Sequence, residues 1–230
     1  MIYIIGDSHV SIFSGVDTRD NGEIHIQPEW GYCYEIKGGE FISLRHHNPF
    51  EQKLDGVFAI KLGSYTAYNL ESKMSKLDEI LNAYEISNND IVLLCFGEID
   101  IRAHIGFKIE ENCSLDDTIK TYVDRYITIL KTLSSRGMNV GVFAPAASLP
   151  NELIYSAGPK YKDSQTRNRM TTKFNSYLKT KCDENDFIFK DIHKDMLRLD
   201  YTSDPKYFRD NIHLSKNALP FIKRELKDIL

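Results

Sequence analysis

Residues 1–10 read MIYIIGDSHV, four apolar residues that run straight into Gly6-Asp7-Ser8-His9. Ile2, Tyr3, Ile4 and Ile5 are β-branched or aromatic and show no polar alternation, which predicts a central strand covered on both faces. Gly6 allows a sharp bend after it. In an open α/β sheet ligands bind beyond the carboxyl ends of the strands, so a serine at this bend is a candidate nucleophile. The same residues also fit a plain helix cap by Asp7 or Ser8.

Outward from that strand the pattern repeats. Val57 to Leu62, Ile91 to Phe96, Asn139 to Ala144 and Phe187 to Phe189 read as four further strands. Between them, Leu70, Met74, Leu77, Ile80, Leu81 and Tyr84 recur at three and four residues, which predicts a helix over about 71–86. Ser114 followed by two aspartates predicts an N-cap and a helix running to Ser135, where Arg136-Gly137 stops it. A helix is expected from Thr166 to about Cys182, and another from Lys216 to Leu230 with Ser215 as N-cap. A short helix fits Val10 to Gly15. Five strands alternating with helices give an α/β protein, a three-layer α/β/α sandwich with a five-stranded parallel sheet of flavodoxin-like, doubly wound type.

No linker rich in Pro, Gly or Ser divides the 230 residues, so one domain over 1–230 is expected, with an irregular or hairpin-rich insertion at about 16–55. That insertion carries Trp30, Tyr32, Tyr34, Phe41 and the pair His46-His47. Adjacent histidines in extended backbone point to opposite faces, so no metal is assigned to them. With 29 Lys+Arg against 33 Asp+Glu the chain has no nucleic-acid footprint. Its longest apolar run, Ile91 to Phe96, is far short of the roughly 20 residues that span a bilayer. The opening strand lacks a basic start and a cleavage region, and a cytoplasmic address is expected. Cys33, Cys95, Cys113 and Cys182 show no C-x-x-C spacing and read as reduced, structural thiols. Neither a P-loop nor a dinucleotide fingerprint is present, and no cofactor is expected.

Polar residues fall at the predicted strand ends: Ser8 after the first, Gly63 after the second, Gly97 to His104 (GEIDIRAH) after the third, and Asp210-Asn211-Ile212-His213 after the fifth. A serine hydroxyl needs a base to take its proton, and neutral imidazole suits that role. His213 is the candidate base, and Asp210, three residues earlier, is the candidate that fixes its tautomer.

These blocks resemble the SGNH hydrolases of the GDSL esterase/lipase superfamily, whose first block is Gly-Asp-Ser-Leu and whose last is Asp-x-x-His. The resemblance implies Ser8, Asp210 and His213 as the catalytic triad, with an oxyanion hole built from the Ser8 and Gly63 N–H groups. In that family an asparagine from a Gly-x-Asn-Asp block completes the hole; here Gly97-Glu98-Ile99-Asp100 places isoleucine there. Such a donor is worth about 3 to 4 kcal/mol in the transition state, and Ile99 cannot replace it. Arg102 is the candidate substitute donor, its alternative being a brace to Glu98 or Asp100. Asp7, Glu98, Asp100, Arg102 and His104 are the substrate-binding candidates. Arg167 and Arg169 are assigned to a solvated helix face. The GEID-x-R-x-H block is similar to a bacterial branch of SGNH-like proteins associated with surface polysaccharide assembly.

The resemblance implies a serine esterase acting on O-acyl, above all O-acetyl, esters of a carbohydrate or small molecule through an acyl-enzyme. An O-acyltransferase in surface polysaccharide biosynthesis would use the same groups. A glycan-binding domain that has lost turnover is the rival suggested by Ile99, and a flavodoxin-like regulatory domain is a third. The expected partner is a small-molecule or glycan ester; the oligomeric state has no signature in the sequence.

Overall fold

The structure, a computed structural model, describes residues 1–14, 16–18, 24–26, 33–37, 40–44, 54, 56–63, 65–111, 113–148, 163–208 and 213–230, with the strands between 16 and 44 described by their backbone pairing. In chain order the strands are β1 (Ile2–Gly6), β2 (Val16–Thr18), β3 (Ile24–Ile26), β4 (Cys33–Lys37), β5 (Glu40–Leu44), β6 (Val57–Lys61), β7 (Ile91–Cys95), β8 (Asn139–Phe143) and β9 (Ile188–Lys190). The helices are α1 (Ser11–Ser14), α2 (Met74–Ala83), α3 (Glu98–Asp100), α4 (Gly106–Glu110), α5 (Leu115–Ser134), α6 (Ser164–Asp183) and α7 (Leu219–Leu226).

The five expected strands form one parallel array, β6-β1-β7-β8-β9, with β1 hydrogen-bonded on both sides. Every residue of β1 is buried. Its side chains alternate between two cores, as the pleat requires. Tyr3 and Ile5 join Val92 and Leu94 of β7 against α2, α5 and α6. Ile2 and Ile4 join Leu93 against α1 and α7 on the opposite face. This is the doubly wound sandwich expected of strands that read as unbroken apolar runs.

The sheet extends beyond the five. The insertion contributes β4, parallel to β6, and β5, antiparallel to β4, making seven strands in the order β5-β4-β6-β1-β7-β8-β9. Lys37 pairs with Glu40 across Gly38-Gly39, a dipeptide suited to a two-residue hairpin loop. β2 and β3 form a separate antiparallel pair. The described residues between 16 and 44 thus form two antiparallel pairs. The aromatic side chains and His46-His47 of this region lie outside the described residues.

Helix ends follow the capping residues. Ser114 accepts from the Asp117 N–H at the start of α5, and Ser215 caps a 3₁₀ turn, Lys216–Ala218, that leads into α7. α6 starts at Ser164, earlier than periodicity predicts, because Asp163 accepts from the Thr166 N–H at 2.7 Å. Cys95 and Cys182 are buried and free, as structural thiols should be, whereas Cys113 is free and exposed. Among the described residues no helix is long and apolar enough to cross a membrane.

Candidate active site

The site starts where β1 ends. Asp7 is extended and buried, and its carboxylate accepts from the His9 N–H at 2.8 Å, capping a 3₁₀ turn over Ser8–Val10. The capping expectation thus belongs to Asp7, which leaves Ser8 half-buried in the turn with its hydroxyl uninvolved in the cap. The same Asp7 Oδ1 accepts from the His9 ring Nδ1 at 2.7 Å.

β7 supplies the facing turn. After Gly97 the chain enters α3, a π-helical turn over Ile101–Ile105, and α4. A single π turn within a helix is a feature often found at functional sites. Glu98 at its start points to both partners: Oε1 accepts from Arg102 Nε at 2.7 Å, and Oε2 lies 3.7 Å from His9 Nε2. Asp7, His9, Glu98 and Arg102 therefore form a chain of alternating charge from the end of β1 to the helix after β7. Burial disfavours charge on His9, but the Asp7 and Glu98 carboxylates outweigh it and raise its pKa from 6.5 to about 9. At neutral pH the ring is an imidazolium.

That shift has a measurable sign. A group whose pKa rises on folding contributes stability that is complete below about pH 6.5 and lost as pH rises through 9. The contribution is about 3 kcal/mol at one pH unit per 1.36 kcal/mol. Urea midpoints of the wild type should fall between pH 6 and pH 10, and by clearly less in His9→Gln; parallel curves would refute the assignment.

Asp7, His9 and Glu98 line one cavity with Ile12, Phe13, Cys95, Phe96, Phe143, Ala144, Pro145, Ala146 and Leu214. Its free interior is about 20 Å³, room for one water-sized group. Phe13 and Phe143 pack edge to face at 4.8 Å across it. The Phe96 N–H donates to the buried Tyr126 hydroxyl at 3.2 Å, fixing the rim of β7 to α5.

The C-terminal block reaches the same rim. The His213 ring centroid lies 5.5 Å from that of His9, the residue after Ser8. Asp210, Asn211 and Ile212 lie outside the described residues, as does Ser64 beside Gly63. Gly63 has φ +136°, a backbone region that side chains disfavour, so the second block keeps a glycine there for conformational reasons. Block two is tied to block three by Asp100. It is fully buried, and accepts from the Ala67 and Tyr68 N–H groups at 2.8 and 3.2 Å. Burial pushes its pKa up to about 7, the two amides pulling back only part of that.

Other expected residues are placed differently. Asp100 serves the loop and does not line the cavity. His104 is exposed, within the π turn itself. Arg102 takes the bracing alternative, bonded to Glu98. Arg169 is exposed, but Arg167 is not on a solvated face: it is fully buried and donates from Nε to Ser148 Oγ at 2.6 Å. Desolvation lowers its pKa, opposed by the nearby Glu98 and Asp163 carboxylates. Asn168 beside it accepts from the Ser148 N–H at 2.6 Å and donates to Ser203 Oγ at 2.9 Å, so this turn of α6 faces a polar interior. Sequence periodicity missed this, because α6 carries a weak apolar stripe. His9 was missed as a site residue; its one signal is an ionisable ring at the position where the resembled block has leucine. Among the described residues no group of three or more acids, histidines and cysteines is arranged to hold a metal.

No family model matches the chain, and no curated protein matches it in sequence. Solved structures do match it along its length. The acetyl xylan esterase AlAXEase is 19% identical with a TM-score of 0.54, covering 100% of both chains. An acetylxylan esterase from Geobacillus stearothermophilus is 12% identical with a TM-score of 0.52, covering 99% of this chain and 93% of the other. A GDSL-like lipase from Bacteroides thetaiotaomicron is 12% identical with a TM-score of 0.50, covering 99% and 86%. At these identities the likeness is one of architecture: the chain has the α/β/α fold of SGNH hydrolases.

Proposed function

We propose that this chain is a serine esterase of the SGNH (GDSL) superfamily that cleaves O-acyl, above all O-acetyl, esters of a carbohydrate or small polyol. The observation that supports this reading is the approach of His213 to the turn that follows the central strand, its ring 5.5 Å from that of His9. Acetyl ester hydrolysis is also the activity named for two of the proteins that share the fold.

In this mechanism His213 takes the Ser8 proton as Oγ attacks the ester carbonyl, and Asp210 holds the imidazole in the right tautomer. The Ser8 and Gly63 N–H groups receive the oxyanion. Collapse expels the alcohol with the proton from His213, and water then releases the acyl group by the same steps in reverse roles. His9 is not the base: with a pKa of about 9 it is already protonated at neutral pH. With a sugar hydroxyl in place of water the same steps make an O-acyltransferase.

Ile99 favours a second reading, a glycan-binding domain without turnover, since it removes the third oxyanion donor of the resembled block. One experiment separates the two. Fluorophosphonate should label the folded wild type on Ser8, by intact mass and peptide mapping, and should fail with Ser8→Ala and His213→Ala. A folded but unlabelled wild type overturns the hydrolase.

A further inference from the structure

Three buried polar atoms on the residues lining the cavity lack a hydrogen-bond partner: Asp7 Oδ2, His9 Nε2 and Glu98 Oε2. Asp7 is 1% exposed, and the His9 and Glu98 side chains 12% and 13%. Leaving one such group unsatisfied costs about 1 to 3 kcal/mol, more when charged. Three around a single cavity call for a polar partner there, a water or a ligand group.

The chemistry of that atom is constrained. His9 Nε2 and Glu98 Oε2 are 3.7 Å apart, too far for a direct hydrogen bond but close enough for one oxygen at about 2.8 Å from each to bridge them. The bridging group must accept from the imidazolium and donate to a carboxylate. A carbonyl or ether oxygen only accepts, and an ammonium only donates. A carboxylate or phosphate meets Asp7 and Glu98, and the alternating chain Asp7, His9, Glu98, Arg102 balances its own charge. A hydroxyl does both jobs, that of an alcohol by taking the place of a water, and the interior has room for one group of that size. The surrounding Phe13, Phe96 and Phe143 shield the bridge from water.

We propose that the His9–Glu98 gap, with Asp7 behind it, recognises a free hydroxyl on the alcohol portion of the substrate, adjacent to the ester oxygen. This rests on the esterase reading and narrows it to monoesters of vicinal diols, the grouping found in partly acylated sugars and glycerol. The adjacency follows from position: His9 succeeds the nucleophile in sequence, and its ring neighbours that of His213.

The test compares glycerol monoacetate with ethyl acetate on the full chain. Wild type should prefer the hydroxylated ester in kcat/KM. Glu98→Met should lose about 10-fold or more on glycerol monoacetate and less than about 3-fold on ethyl acetate, with Glu98→Gln between. Equal losses on both esters, or a wild type with no preference, would overturn the subsite. A binding readout keeps it separate from turnover and from misfolding of a Glu98 variant. In Ser8→Ala, with ¹⁵N-labelled histidine, glycerol monoacetate should shift the His9 Nε2 resonance saturably and ethyl acetate should not. Should wild type hydrolyse neither ester, the esterase reading fails while this titration still decides the subsite: a selective shift upholds it, and no shift or the same shift with both esters refutes it.

Discussion

Ser8→Ala is expected to lower kcat for acetyl ester hydrolysis by about 10⁵-fold, with an unfolding midpoint close to that of wild type. The two halves of that expectation come from different parts of the site. In the proposed mechanism the loss follows from removing the atom that forms the acyl-enzyme. The unchanged stability follows from the cap: Asp7, not Ser8, accepts the N–H of the 3₁₀ turn, and Ser8 is only half-buried. Because nucleophile and base act as a unit, Ser8→Ala with His213→Ala should be no slower than Ser8→Ala alone. A single variant retaining a tenth of the wild-type rate, or a double variant far below either single, would show that Ser8 is not the nucleophile.

Gly6→Ala is expected to be among the most damaging single methyl additions in the sheet, lowering stability by about 3 kcal/mol and removing activity with it. A Cβ at Gly6 would fall inside the van der Waals radius of the Cys95 carbonyl oxygen and 2.7 Å from Val10 Cγ1. Neither neighbour yields cheaply. The carbonyl belongs to β7, in register with β1 at this point, and Val10 closes the 3₁₀ turn from within the core. Relief requires β1 and β7 to part at the rim where His9 and Glu98 approach one another. Urea titration measures the loss as a lower midpoint with unchanged slope. A midpoint within error of wild type would mean that the strand ends are not packed this closely.

Much of the fold was legible because central parallel strands are buried on both faces and leave short, unbroken apolar runs. β1, β6, β7, β8 and β9 all lie within a residue or so of their expected positions. Ser114 and Ser215 were readable as caps because side-chain capping is local chemistry. The edge strands were harder. Cys33-Tyr34-Glu35-Ile36-Lys37 mixes polar and apolar residues, and only the Gly38-Gly39 pair after it marks a hairpin. At the candidate site, Ser8 and His213 stand out in the sequence through short motifs, and the structure sets the His213 ring 5.5 Å from that of His9, the neighbour of Ser8. His9 was not found, because its meaning depends on Glu98, distant in sequence and adjacent only once β1 and β7 are paired. Arg167 reads as a surface residue in sequence, since nothing local reveals that Ser148 and Asn168 surround it with polar groups.

The grip of Asp100 on the Ala67 and Tyr68 amides has a mechanical consequence. It fastens the segment that follows Gly63 to the helix that begins at Glu98, so the two loops flanking Ser8 are joined crosswise as well as through their own strands. Neither loop can drift without dragging its neighbour. A tolerance built up on one side of the rim is therefore transmitted to the other, and the spacing between the Gly63 loop and the charged cluster is held as a single gauge length rather than as the sum of two independent errors.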